Sequence, residues 1–152
     1  KALGLLPENI QSKIQVEFYG YVPQRDLTHL PFIQVNEFVP KEDLEKAYQT
    51  ADICVIPSLF DNSPNTVYEA MAQGKVVVAS SVGGIPEIIG SKENGFLFDS
   101  KDVNDLLEKL EDAIKLVLNG ECQSMRVNAQ QRINAISNLS INVKQRLNLI
   151  QL

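Results

Sequence analysis

An α/β fold, a parallel sheet flanked by helices, is what this sequence of 152 residues predicts. Three observations carry it. Short apolar or alternating runs recur along the chain with helical patterns between them, which is how a sheet of parallel strands and crossover helices is written in sequence. Two of the runs, Ile53-Cys54-Val55-Ile56 and Val76-Val77-Val78-Ala79, are continuous and mostly β-branched, as strands covered by helices on both faces require, so both are expected to be central. Hydrophobic residues make up 44% of the chain and charged residues 22%, a balance that buries enough apolar surface for one folded domain and excludes a disordered chain.

The elements follow in order. Ile14 to Tyr19 alternates and stops at Gly20, and Phe32 to Val39 is a second extended run. From Pro40 to Ala51, Leu44, Ala47, Tyr48 and Ala51 fall at helical spacing behind the acidic start Glu42, Asp43 and Glu45, which suits the positive end of a helix dipole. The third strand, residues 53–56, is halted by Pro57. A helix is expected to open at Ser63-Pro64, with Ser as N-cap and Pro in the first helical position, and to stop at Gly74. The fourth and fifth strands are residues 76–79 and 95–98. Val103, Leu106, Leu107, Leu110, Ala113, Ile114 and Val117 form an unbroken apolar stripe, predicting a helix over residues 101–118. Further helices are expected at about 121–137 and 140–151.

Charge and composition narrow the function classes. A net charge of −5 gives no footprint for nucleic acid, which is bound through clustered Lys and Arg. Two cysteines, Cys54 and Cys122, make no disulfide framework and no zinc-ligand spacing, a pattern that suits a reducing cytosol. Cys54 reads as a small core residue and the single histidine, His29, as a loop residue. Apolar runs such as residues 76–79 fall far short of the roughly 20 residues that span a bilayer. The first residue is Lys1 and no leader pattern follows it, so a segment of a longer protein is expected.

The chemistry is concentrated in residues 57–74, read as strand end, loop and helix start. Ligands of open parallel sheets sit at the carboxyl ends of strands. There the amides of Asn65, Thr66 and Val67 would point out of a helix N-terminus and favour a phosphate. Glu69 lies four residues after Asn65, on the same helix face and about 5–6 Å away between Cβ atoms, placed to accept from diol hydroxyls beside that phosphate. Asp61, on the preceding loop, offers a second carboxylate. The competing reading, commoner for an isolated loop–helix junction, is that Asp61 and Ser63 only cap the helix and Glu69 is a solvated surface residue.

Asp61 and Glu69 stand where the family-4 retaining glycosyltransferases of the GT-B fold carry the two acids of their E-x7-E motif, and the similarity continues in order along the chain. Pro57-Ser58, Glu69-Ala70-Met71-Ala72 with Gly74, Val82-Gly83-Gly84-Ile85-Pro86-Glu87-Ile88 and Asn94-Gly95-Phe96-Leu97-Phe98 resemble that family's blocks over about residues 33–110. The resemblance implies a Rossmann-like domain, the C-terminal half of a GT-B fold, holding a nucleotide-sugar donor. It implies that Asp61 contacts the transferred sugar, that Glu69 binds the ribose, and that the amides of Asn65, Thr66 and Val67 hold the diphosphate. Asn62 and Ser63 join them because the segment Asp61 to Val67 resembles a subgroup of bacterial surface-polysaccharide transferases. Gly83 and Gly84 would let backbone approach the sugar or phosphates, or simply form a turn before a helix opened by Pro86 and Glu87.

Four departures from the family stand out. Asp61 is one methylene shorter than the usual Glu, Gly20-Tyr21-Val22 replaces the usual Gly-x-Gly turn before a short link from Tyr21 to Leu30, and Glu37 replaces a Gly at the loop that receives the base. Uridine and guanosine both remain open. The family's Arg and Lys, which neutralise the departing diphosphate, are also absent, so this chain is expected to bind donor better than it turns it over. The reading as a whole is a transferase moving a sugar from a nucleoside diphosphate to an acceptor hydroxyl with retention. This chain is expected to supply the donor domain, residues 1–152 with C-terminal helices from about 121, and a missing N-terminal domain to handle a glycan or lipid-linked acceptor. No metal or other cofactor is expected. The setting is cytoplasmic, with docking at the inner membrane face as a variant. The alternative is a nucleotide-sugar epimerase or an inactive nucleotide-sugar-binding module on the same fold.

Overall fold

The computed structural model describes residues 1–20, 30–62, 64–90 and 92–137. Its elements in chain order are α1 (Ala2–Leu5), α2 (Glu8–Gln11), β1 (Val16–Tyr19), β2 (Ile33–Asn36), α3 (Lys41–Thr50), β3 (Ile53–Ile56), α4 (Asn65–Ala72), β4 (Val76–Ser80), α5 (Ile85–Ile88), β5 (Phe96–Phe98), α6 (Val103–Leu118) and α7 (Gln123–Ser137). All five expected strands form, and every pairing is parallel. One unit pairs β1 with β2, and a second has the order β3-β4-β5.

The second unit is organised around β4, whose five residues are all buried. Successive side chains of a strand point to opposite faces, and the two faces of β4 feed two cores. Val77 and Ala79 join Val67, Ala70 and Met71 of α4, Ile85 and Ile88 of α5, and Ala129 and Ile133 of α7. Val76 and Val78 join Ala2, Phe98, Met125 and the inner face of α6 through Leu110 and Ala113. Each fully buried valine contributes roughly 1.5–3 kcal/mol relative to exposure, so β4 is the strand that ties both layers together. Ser80, at its end, satisfies its buried hydroxyl by donating to the Ser58 carbonyl at 2.6 Å.

The helix stop expected at Gly74 forms. After α4, Gly74 takes φ +64°, its N–H donates to Met71 O and the Lys75 N–H donates to Ala70 O, both at 3.0 Å, the paired closure that a left-handed residue permits. At the start of α6, Asp102 accepts from the amides of Asn104 and Asp105 at 2.8 and 3.2 Å, a side-chain N-cap.

Several expectations are corrected. The helix after β3 starts at Asn65, not at Pro64: Pro64 occupies the cap position with ψ 84°, outside the helical range, and no side chain caps the helix. Ser63, expected as the cap, lies outside the described residues, as do the link 21–29 with His29 and the helix expected at 140–151. Of the two strands expected to be central, only β4 is flanked on both sides among the described residues. β3 pairs with β4 alone, and Val55 is 42% exposed. A continuous apolar run reports what covers a strand's faces and carries no information about its edges. Two short helices, α1 and α2, were not expected. Leu6, just after α1, and Ile10 of α2 pack against Ile114 of α6, a tertiary contact that a four-residue periodicity cannot signal.

Candidate functional site

Between β3 and α4 the chain leaves the sheet at its carboxyl end, through residues 57–64, and turns into a helix of eight residues. What holds this junction is the loop that follows β4. Gly83 has φ +51°, and a Cβ placed on it would lie 1.9 Å from the Asp61 carbonyl oxygen; one on Gly84 would lie 2.8 Å from the Asn62 carbonyl oxygen. The Gly84 N–H donates to Asp61 O at 3.1 Å. The two loops therefore meet backbone to backbone, an approach open only to residues without a side chain. The glycine pair is thus brought to the acid loop, where it fixes the path of Asp61 and Asn62.

The helix start is narrower as a donor set than expected. The Val67 N–H donates to Pro64 O at 3.0 Å, and the Tyr68 N–H to the same carbonyl at 3.3 Å. Val67 itself is wholly buried. Its amide is therefore spent inside the helix, and the amides left at the tip, with no backbone partner among the described residues, are those of Asn65 and Thr66. Both residues are exposed, and so is Glu69 one turn further on, whereas Asp61 is half-buried. No Lys or Arg occurs between Pro57 and Gly74, so what this segment itself offers an anion is N–H dipoles and the helix terminus.

Two residues join the site's surroundings that sequence reasoning had not assigned there. Tyr48 of α3 packs against the core cluster behind α4, with the Glu69 charge acting on its phenol. Burial first, then the Glu69 and Cys54 charges, push its phenol well above the usual range. Cys54 beneath it is itself pushed up to about 11 by burial, with Lys75 opposing, so it stays an unreactive thiol at neutral pH. Arg132 of α7 donates from Nη2 to Glu87 O at 2.6 Å and from Nε to Ile88 O at 3.2 Å, closing the end of α5. It borders a cavity of about 350 Å³ shared with Asn62, Pro64, Tyr68 and Gly84. No spacing rule pointed to either residue, because each reaches the junction from an element distant in sequence.

Comparison with known proteins gives the family and the fold. Residues 1–132 match the family described as glycosyl transferases group 1. The chain is similar to sulfoquinovosyl transferase SQD2 of Arabidopsis thaliana, 42% identical over 121 residues, covering 72% of this chain and 23% of the relative. It is also similar to a D-inositol 3-phosphate glycosyltransferase of Corynebacterium kroppenstedtii, 38% identical over 81 residues, covering 53% of this chain and 18% of that protein. The chain thus spans about a fifth of the length of these curated relatives. Among solved structures, HepE of Anabaena in complex with UDP superposes with a TM-score of 0.75 at 20% identity, over 97% of this chain and 43% of HepE. That likeness shows the fold.

Proposed function

The chain belongs to the glycosyl transferases group 1 family, and from that membership we propose that it binds the donor of a transferase moving a sugar from a nucleoside diphosphate to an acceptor hydroxyl with retention. The observation that carries the reading is the junction after β3, where two open helix-tip amides, the outward carboxylate of Glu69 and the loop acid Asp61 come from one continuous segment. Asn65 and Thr66 hold the diphosphate with their N–H groups, and Glu69 accepts from the ribose hydroxyls. Asp61 and Asn62 face the sugar. Ser63 belongs to the same loop, and Gly83 and Gly84 act through the loop they fix. In the transfer, the bond from the anomeric carbon to the diphosphate breaks with its electron pair on the phosphate oxygen, the acceptor oxygen bonds to that carbon, and the acceptor proton passes to the departing diphosphate.

The reading needs no metal, since helix amides supply the charge compensation. With no Lys or Arg in residues 57–74 and Arg132 engaged by α5 carbonyls, the isolated chain binds donor better than it transfers it. A second domain, outside this chain, handles a glycan or lipid-linked acceptor. Donor chemistry of this kind places the protein in the cytoplasm, with the other domain free to dock on the membrane. Among the described residues no helix is long and apolar enough to cross one. HepE was crystallised with UDP, which makes UDP the first probe and GDP the second.

Calorimetric titration tests the assignment. Glu69→Ala is expected to weaken UDP or GDP binding about 10–100-fold, the value of charge-assisted hydrogen bonds lost to a hydroxylated ligand, while chelation of divalent ions leaves binding unchanged. Unaltered affinity removes Glu69 from the site. In Asp61→Ala the sugar nucleotide is expected to lose affinity and the bare diphosphate to keep it; equal losses contradict a sugar contact.

A further inference from the structure

We propose that Arg132 is a positioning residue for Asp61, acting through α5 and the glycine pair at its start. This rests on the reading of Asp61 as a sugar contact given above. From α7, the Arg132 Nε donates to Ile88 O at 3.2 Å and Nη2 to Glu87 O at 2.6 Å, so one rigid, planar fork grips two successive carbonyls. Those carbonyls close α5, the negative end of a helix that a cation complements. α5 has only four residues, Ile85–Ile88, too few to hold a helix by its own hydrogen bonds. Its buried Ile85 and Ile88 root one side in the core, but apolar contact is non-directional and sets no exact position along the axis. The two bonds of Arg132 do. At the opposite end of α5, the Gly84 N–H donates to Asp61 O at 3.1 Å. A Cβ on Gly83 or Gly84 would lie 1.9 or 2.8 Å from the main-chain oxygens of Asp61 and Asn62. Main chain packed on main chain has no side chain to absorb a displacement, so a shift of α5 passes into the acid loop. Arg132, Gly84 and Asn62 also border one cavity of about 350 Å³, which puts the clasp and the loop it steadies side by side.

Arg132→Met keeps the apolar stem and removes both donors. Calorimetry with UDP-glucose and UDP, or with GDP-glucose and GDP if those bind tighter, is the test. The variant is expected to bind the sugar nucleotide about tenfold more weakly, the worth of one hydrogen bond to the sugar, and the bare diphosphate as tightly as the parent chain does. Arg132→Lys keeps the charge but cannot span two carbonyls, and is expected to show the same split. A lysine variant with parental affinity would make the role one of charge, and equal losses for both ligands one of stability; either overturns the proposal, as does no loss at all. When Arg132→Met is combined with Asp61→Ala, the sugar nucleotide is expected to bind no more weakly than to Asp61→Ala alone. Losses that multiply mean that Arg132 does not act through Asp61, and also overturn the proposal. A further measurement requires no ligand. The Gly84 amide ¹H resonance is expected to move upfield in Arg132→Met as its bond to Asp61 O lengthens, and an unmoved resonance breaks the link. If the resonance moves while Asp61→Ala leaves sugar-nucleotide affinity intact, it is the sugar assignment of Asp61 that fails, and the positioning role with it.

Discussion

Gly83→Ala is expected to unfold the chain at markedly lower denaturant and to abolish nucleotide binding with it. The left-handed backbone at φ +51° costs an L-residue roughly 1–2 kcal/mol. The added methyl group, built 1.9 Å from the Asp61 carbonyl oxygen, cannot be accommodated by turning a side chain, because what it strikes is main chain. One of the two loops must move, at a further cost of about 1–3 kcal/mol, as for other overpacked sites. Whichever moves, the Gly84 N–H to Asp61 O bond is strained and the acid loop displaced. Urea unfolding of the variant beside the parent chain checks this, and a loss below about 0.5 kcal/mol, the range of neutral surface changes, would show that the loops are less closely apposed than described.

The second large effect is expected at Met71. It is wholly buried on α4 within the cluster that joins α4 and α7 to β4, and truncation to Ala is expected to cost about 2–5 kcal/mol through lost transfer energy and the cavity left behind. Met71→Leu keeps the volume and should cost less than about 1.5 kcal/mol. Thermal or urea unfolding of both variants separates the two cases. If the alanine variant is as stable as the leucine variant, α4 is not anchored through this residue.

Much of the architecture was legible because it is written locally. The strand at 53–56, the buried strand from Val76, the stop at Gly74 and the long helix from Val103 each depend on a run, a breaker or a stripe within a few residues of itself, and each forms. What was not legible depends on partners. Nothing near Ala2 or Ile10 in sequence announces that α6 will cover them, and the apolar run of β3 could not say that its outer edge lacks a neighbouring strand among the described residues. At the site, the acids and the helix tip could be placed from spacing, but the fate of individual amides could not. Pro64 sits one position earlier relative to the helix than its usual preference suggests, so its carbonyl takes the Val67 N–H. Likewise the closeness of Gly83 to Asp61 and of Tyr48 to Glu69 joins residues 22 and 21 positions apart, and only the folded chain brings them together.

The complete burial of β4 has a consequence for how the molecule breathes. Its amides lie between two ladders and under two cores, so they are expected to trade hydrogen for deuterium only when the whole unit opens, the slowest class of exchange in a native protein. The inner side of α4 is rooted in the same cluster, through Val67, Ala70 and Met71, and should share that slow clock. The β1–β2 pair, half-buried at best, should exchange through smaller openings. Deuterium uptake followed by peptide mass spectrometry would read this as two kinetic classes. The helix that presents Glu69 to solvent would then be seated in the last part of the chain to open, its outward carboxylate at the water's edge and its foundation out of the water's reach.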